Sequence, residues 1–429
     1  MRNYLQKRIV NNSFTVSQLS QIYQFPSYKN TNQTIMIPSF GGGIYGTIEN
    51  EILINGDVQK YWASQGINDL SMSIVYVSLY TDMDMTDETS TLENTMDVAV
   101  LGSCCQCTIV LCIFPNNISF LDAFLTMIQG ININNTFFYP DIISMSWGMP
   151  ETLSDIVDLT QTNTLLKNTN INICVAAGDN GSSDGTNSLT VDYPASSPYV
   201  TAIGGTSLIC PNNIYDSSTS ETVWNDGTTA TGGGISVLFP KPIYQSFLPG
   251  NYRNVPDIAF NADPNTGIQL YFNGQIQYGI GGTSMCAPFF AAYIALQKIK
   301  TFINPLLYSN TCYHDIVNGS NSIGTRGKYF ATPGYDNCTG LGSFIGNKLV
   351  NPFIILPINI KIKKGNVLLI NIKTNVSVVW SSSNKNVLVN QNGMILGMAI
   401  GTAMITARAN NLSVSTLVSV LTQNLTLLY

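Results

Sequence analysis

The octapeptide GGTSMCAP, residues 281–288, sets Gly281 and Gly282 ahead of Thr283 and Ser284 and places Pro288 four residues beyond that serine. Ser284 is a candidate nucleophile, and a serine hydroxyl attacks only when a base takes its proton and a third group holds the base. The chain has 429 residues and a single histidine, His314, thirty positions after Ser284. His314 lies in CYHDIVNG beside Asp315 and reads as a loop or surface residue. A histidine triad is excluded on that ground, so the base has to come from the carboxylates.

TLENTMDVAVLG, residues 91–102, carries Glu93 and Asp97 four positions apart. On a helix that spacing puts both carboxylates on one face, where they can share a proton. By itself such a pair describes a solvated helix face. A third acid changes the reading: Asp179 sits in VAAGDNGSSDG, residues 175–185, a Gly-rich turn at the expected carboxyl end of a β-run. A carboxylate serves as general base where its pKa suits the working pH.

Helix-like and strand-like segments alternate from about residue 14 to residue 355. TIMIPSF, SIVYVSLY, CTIVLCIF, DIISMSW and INICVAAG are short β-branched runs, and SFLDAFLTMIQG and ETLSDIVDLTQTNTLLKNT read as helices between them. This alternation predicts an α/β fold, a mostly parallel sheet with helices on both faces and its ligands at the carboxyl ends of strands. Residues 356–429 contain no helical pattern and alternate short strands with Asn-Gly and Gly-Thr turns, which predicts a small all-β sandwich. The expected domains are therefore an N-terminal tail at 1–13, a catalytic body at 14–355 and a β-module at 356–429.

The octapeptide resembles the nucleophile segment of subtilisin-type proteases, and the chain as a whole resembles the sedolisin family of serine-carboxyl peptidases. That likeness rests on QIYQFP, FGGG, ENTMD, SMSWGMPE, AAGDNGSSDG, YPASSPYVTAIGGTSL, GGGIS, VPDIAF, GGTSMCAP, HDIVNG and PGYDNCTGLGS, in family order over about 340 residues. It implies a subtilisin-like fold, Ser284 as nucleophile, Glu93 as general base and then acid, Asp97 orienting Glu93, and Asp179 as oxyanion donor. Only a protonated carboxyl can donate to a developing negative charge, so that last role implies acid pH. The resemblance also implies that Ser146, Trp147 and Gly148 pair with an extended peptide substrate. It implies one structural calcium ion held by Asp315, Asp336 and the main-chain oxygens of Ile316, Thr332 and Gly334, a set of hard oxygens suited to that ion. Two departures stand out. Ser39 precedes FGGG where several members carry a glutamate that extends the catalytic hydrogen-bond network, and the signature starts near residue 14 where members usually carry a long prodomain.

Trp380-Ser-Ser-Ser-Asn, Asn392-Gly393 and Gly401-Thr402-Ala403 resemble bacterial immunoglobulin-like group 2 modules, which implies surface or partner binding through the C-terminal segment. Lys plus Arg number 19 against 25 Asp plus Glu, with no basic cluster, which excludes a nucleic-acid partner. No signal peptide and no apolar run long enough to span a membrane is present. An acidic, extracellular or particle-associated setting and a monomeric state are expected. Cys104, Cys105, Cys107 and Cys112 run into an apolar strand and read as core residues rather than zinc ligands, while Cys312 and Cys338 flank the calcium segments and are a candidate disulfide. The rival to a peptidase is a silent peptidase-fold binding protein displayed through its β-module.

Overall fold

The computed structural model describes residues 2–3, 6–7, 13–324, 329–349, 354–374, 377–409 and 412–422. The chain divides into two compact units, Met1–Leu349 and Val350–Tyr429.

The first unit is built on a sheet of twelve strands among the described residues. Eight run parallel, in the spatial order Ser343–Phe344, Ile258–Asn261, Thr201–Ile209, Asn172–Ala176, Ile142–Met145, Asn30–Phe40, Gln106–Phe114 and Ile74–Leu79. Strand side chains alternate between faces, and the apolar residues sort accordingly. Ile35, Ile37, Ile109 and Leu111 join one hydrophobic cluster, while Met36, Val110 and Cys112 join the other. Helices cover both clusters, Glu88–Cys104 and Thr283–Gln297 on the first face and Phe120–Ile128 and Ile156–Lys167 on the second. The expected α/β architecture is the one observed. Cys104, Cys105 and Cys107 are core residues of the first cluster and Cys112 of the second.

The Glu88–Cys104 helix begins where the Asp87 side chain accepts the Ser90 N–H at 3.0 Å. From Ser90 onward it is buried on every face, so its polar groups need internal partners. Thr95 and Ser103 donate to the carbonyls one turn back, at 2.8 and 2.7 Å. Asn94 donates to the carbonyls of Gly41 and Gly43, tying the FGGG loop to the helix. Trp62 packs flat against Gly102 and donates its indole N–H to Ala99.

Two short strands lie within the stretch read as a tail: Arg2–Asn3 pairs antiparallel with Trp147 and Gly148, and Gln6–Lys7 pairs antiparallel with Ile280 and Gly281. In the second unit a four-stranded and a three-stranded sheet share one hydrophobic cluster that contains Trp380, Val387, Ile395 and Ile405. No helix among the described residues is long and apolar enough to cross a membrane.

A Cβ at Gly102 would lie 2.1 Å from the Trp62 ring, which is buried and bonded to Ala99, so the ring or the helix must shift. Gly102→Ala is therefore expected to destabilise the first unit by about 1–3 kcal/mol, read as a lower urea midpoint.

Candidate active site

Four side chains named from the sequence converge at the carboxyl ends of the central strands. Glu93, Asp97, Asp179 and Ser284 are at most 1% exposed. Glu93 and Asp97 come from adjacent turns of the buried Glu88–Cys104 helix, Asp179 follows the strand Asn172–Ala176, and Ser284 is the second residue of the Thr283–Gln297 helix.

The start of the serine helix is tightly specified. Gly282 has φ +104°, a left-handed conformation that a Cβ disfavours, and it turns the chain from the strand Gln275–Gly281 into the helix. Pro288 lies inside that helix and offers no N–H to the Ser284 carbonyl one turn earlier. The Ser146 hydroxyl takes that position instead, 3.2 Å from the Ser284 oxygen. It also lies 2.9 Å from Asp97 Oδ1, so one side chain links the carboxylate helix to the serine helix. The Ser284 hydroxyl donates to the Ser146 carbonyl at 3.3 Å. Ser146, expected as a substrate contact, thus also has a bridging role that the sequence did not reveal.

Among the described residues, no hydrogen bond of standard geometry reaches either Glu93 oxygen. The hydroxyls of Ser284 and Ser146 are nonetheless near enough to act on it electrostatically, and catalytic hydrogen bonds are often long before substrate binds. Burial raises the Glu93 carboxyl well above the usual carboxylate range, and the charges of Asp97 and Asp179 raise it further. Burial likewise raises Asp97, against the opposing pull of the Ser146 hydroxyl and the neighbouring Glu93 carboxyl. Among the described residues, no cationic side chain is among the groups that shift either acid. Two adjacent acids in that environment retain a proton between them.

Asp179 Oδ1 accepts from the Thr283 N–H at 2.9 Å and from the Thr283 hydroxyl at 2.8 Å. Thr283 was not among the expected site residues; its place beside Ser284 in GGTS is the only sequence signal for it. The Ser39 hydroxyl turns back to the Gly41 carbonyl at 3.0 Å, and the buried Trp147 indole N–H has no partner among the described residues. The strand Trp147–Pro150 has one edge paired with Asp192–Tyr193, and Arg2–Asn3 lies along the other.

His314 lies apart, in the edge strand Tyr313–His314, half-buried and stacked on Tyr215 at 3.4 Å. Burial and Lys348 push its pKa down to about 4. It is a packed strand residue rather than the loop residue expected.

The expected calcium residues lie around one turn. Both Asp315 oxygens accept from the Gly334 N–H, at 3.2 and 3.0 Å, and Asp336 Oδ2 accepts from the Thr332 N–H at 3.4 Å. Ile316 is buried, whereas Thr332 and Gly334 are exposed. Two carboxylates drawn to one turn are hard oxygen donors of the kind a hard cation takes, although no cluster of three or more acidic, His or Cys side chains forms among the described residues. The expected Cys312–Cys338 disulfide is corrected: both are free buried thiols, Cys312 in the large core and Cys338 in a separate cluster with Val223 and Ile316.

Residues 138–342 match the subtilase family model. Kumamolisin of Bacillus sp. (strain MN-32) is 35% identical over 370 residues, covering 80% of this chain and 64% of that one. Sedolisin of Pseudomonas sp. (strain 101) is 37% identical over 194 residues, 39% of this chain and 32% of that one. The chain therefore spans less than two thirds of the length of these curated relatives. The solved structure of Pseudomonas sedolisin, a serine-carboxyl proteinase complexed with two molecules of pseudo-iodotyrostatin, superposes with a TM-score of 0.66 at 27% identity, covering 79% of this chain and 96% of that chain. The first unit thus has the sedolisin fold.

In an unfolded chain these acids titrate near pH 4. The raised pKa values of Glu93 and Asp97 mean that the folded protein holds protons more tightly than the unfolded one. Their contribution to stability is full below about pH 4 and is lost as the pH rises through the folded values. Melting temperature is expected to fall between pH 4 and pH 7, and the Glu93→Gln/Asp97→Asn double variant, which cannot ionise there, is expected to flatten that fall in a calorimetric series.

Proposed function

We infer that this chain, a subtilase-domain protein with kumamolisin and sedolisin among its homologues, is a serine-carboxyl endopeptidase that works at acid pH. The observation that carries the reading is the burial of Glu93 beside Asp97, facing Ser284. Such a pair can take up and return a proton without histidine.

Ser284 Oγ attacks the carbonyl carbon of the scissile peptide while Glu93 takes the hydroxyl proton. Asp97 shares a proton with Glu93 and holds its orientation. The oxyanion receives a hydrogen bond from the protonated Asp179 carboxyl, and the serine lies at a helix N-terminus, where the helix dipole favours negative charge. The C–N bond then breaks as Glu93 returns the proton to the leaving amine. Water then attacks the acyl carbon while Glu93 takes its proton, and Glu93 passes that proton to Ser284 Oγ as the ester C–O bond breaks and the acid product leaves.

Ser146, Trp147 and Gly148 are read as the edge on which an extended polypeptide substrate adds as a strand. Support comes from the chain itself, whose Arg2–Asn3 backbone lies antiparallel on Gly148 and Trp147 and runs toward Ser146. Gln6–Lys7 continues on the strand that leads to Ser284, giving the polarity of a peptide crossing the nucleophile.

Calcium would be held by Asp315, Asp336 and the carbonyl oxygens of Ile316, Thr332 and Gly334. When bound, it supplies positive charge between two carboxylates and closes the turn. Residues 356–429 are read as an immunoglobulin-like module for surface or partner attachment, supported by two sheets around a Trp380 core. All the catalytic groups come from one chain, which suits a monomer, and the acid requirement suits an acidic, extracellular or particle-associated setting.

Casein digestion between pH 3 and pH 8 tests this reading. The wild type is expected to be most active well below neutrality, with Ser284→Ala and Glu93→Gln each costing about 10⁴-fold or more in kcat. Asp179→Ala is expected to cost about 10²–10³-fold, whereas Asp179→Asn keeps a donor that cannot ionise and extends activity to higher pH. Equal digestion by the wild type and Ser284→Ala would leave the silent binding protein as the reading. Chelation is expected to lower the melting temperature, and calcium at a hundredfold excess over Kd to restore about 2.7 kcal/mol, a gain that Asp315→Ala removes.

A further inference from the structure

We propose that Thr283 is a positioning residue that decides which oxygen of Asp179 carries the proton, and so aims the acid O–H at the oxyanion. The proposal rests on the reading of Asp179 as oxyanion donor and deepens it.

A protonated carboxyl has two unlike oxygens: one donates, and the other accepts as a carbonyl does. With the proton on the wrong oxygen, a buried acid would present an acceptor to the developing negative charge and oppose the reaction. Asp179 Oδ1 receives two hydrogens from one residue, the Thr283 N–H at 2.9 Å and the Thr283 O–H at 2.8 Å. An oxygen that accepts twice in this way is the carbonyl-type oxygen, which leaves the proton on Oδ2.

The direction of the threonine hydroxyl is itself set. The Gly178 N–H donates to Thr283 Oγ1 at 3.0 Å, so the lone pair on that side is used and the single hydrogen turns to Asp179. Thr283 is completely buried and Asp179 is 1% exposed, so bulk water cannot supply a competing partner. The bond received from Gly178 and the bond donated to Asp179 together hold the hydroxyl in place. Gly178 precedes Asp179 and Thr283 precedes Ser284, so the three bonds also lock the turn carrying the oxyanion acid to the helix start carrying the nucleophile.

The arrangement has an opposing consequence. Donors to a carboxyl favour its ionised form, so the Thr283 hydroxyl pulls Asp179 toward ionisation. Acidic groups lie near the same place: Glu93 on the carboxylate helix, Asp184 and Asp192 beside Gly178, and the Cys286 thiol on the serine helix. Thr283 thus fixes the position of the proton while lowering the pH at which that proton is lost.

The full chain with Thr283→Val, which keeps the N–H and the shape but removes the hydroxyl, separates these effects. Its kcat is expected to fall about 10- to 100-fold with KM little changed, since the lost interaction matters in the transition state. The alkaline limb of its kcat profile is expected to move to higher pH. Thr283→Ser, which restores the hydroxyl, is expected to return both toward the wild type. Thr283→Ala gives the same test should valine prevent folding, as checked by circular dichroism. An unchanged kcat, or a loss uniform with pH and an unmoved limb, would overturn the proposal. Asp179→Asn run alongside keeps the two ideas apart: if that variant leaves the limb in place, the reading of Asp179 itself fails, whereas a limb moved by Asp179→Asn alone removes only the role of Thr283.

Discussion

Two carboxyl groups one helical turn apart, both taken out of water, cannot both be charged at moderate cost. Glu93 and Asp97 impose that constraint on everything around them. Their helix is buried on every face from Ser90 onward, so its hydroxyls turn to its own backbone and Asn94 holds the FGGG loop against it. The proposed acid-pH chemistry rests on the same burial, which raises the proton affinity of Glu93.

The serine is presented by local rules that act in concert. Gly282 permits the turn, Pro288 leaves the Ser284 carbonyl without its helical donor, and Ser146 occupies the vacancy while reaching Asp97. A proline that would ordinarily weaken a helix interior here leaves a carbonyl through which Ser146 couples Ser284 to the carboxylate pair. Thr283 makes the matching connection on the other side, to Asp179. The site is a set of three backbone segments joined by short hydroxyl-containing side chains, which are compact enough for an anhydrous interior and offer both donor and acceptor.

Much of the α/β architecture was legible because its strands are short, β-branched and separated by helical spacing, as in TIMIPSF and CTIVLCIF. The pairing of Glu93 with Asp97 was legible for the same reason, since helical periodicity alone places them together. Less legible were features that depend on distant segments meeting. Cys312 and Cys338 flank one loop region in sequence, yet pack into separate clusters as thiols. His314 reads as a loop residue, yet a late strand and the Tyr215 ring enclose it. Arg2–Asn3 and Gln6–Lys7 carry no strong strand signal, and they become strands because two exposed edges beside the site accept them.

By itself the sequence determined the absence of a histidine base, the presence of three acids and a serine in family order, and the alternation that builds a parallel sheet, because each follows from residue identity or short-range periodicity. The tertiary structure alone decided which acids lose water, which hydroxyl bridges Asp97 to the serine helix and which oxygen of Asp179 is held by Thr283. Those are properties of desolvation and of contacts across 49 to 138 residues of chain, and no local pattern encodes them.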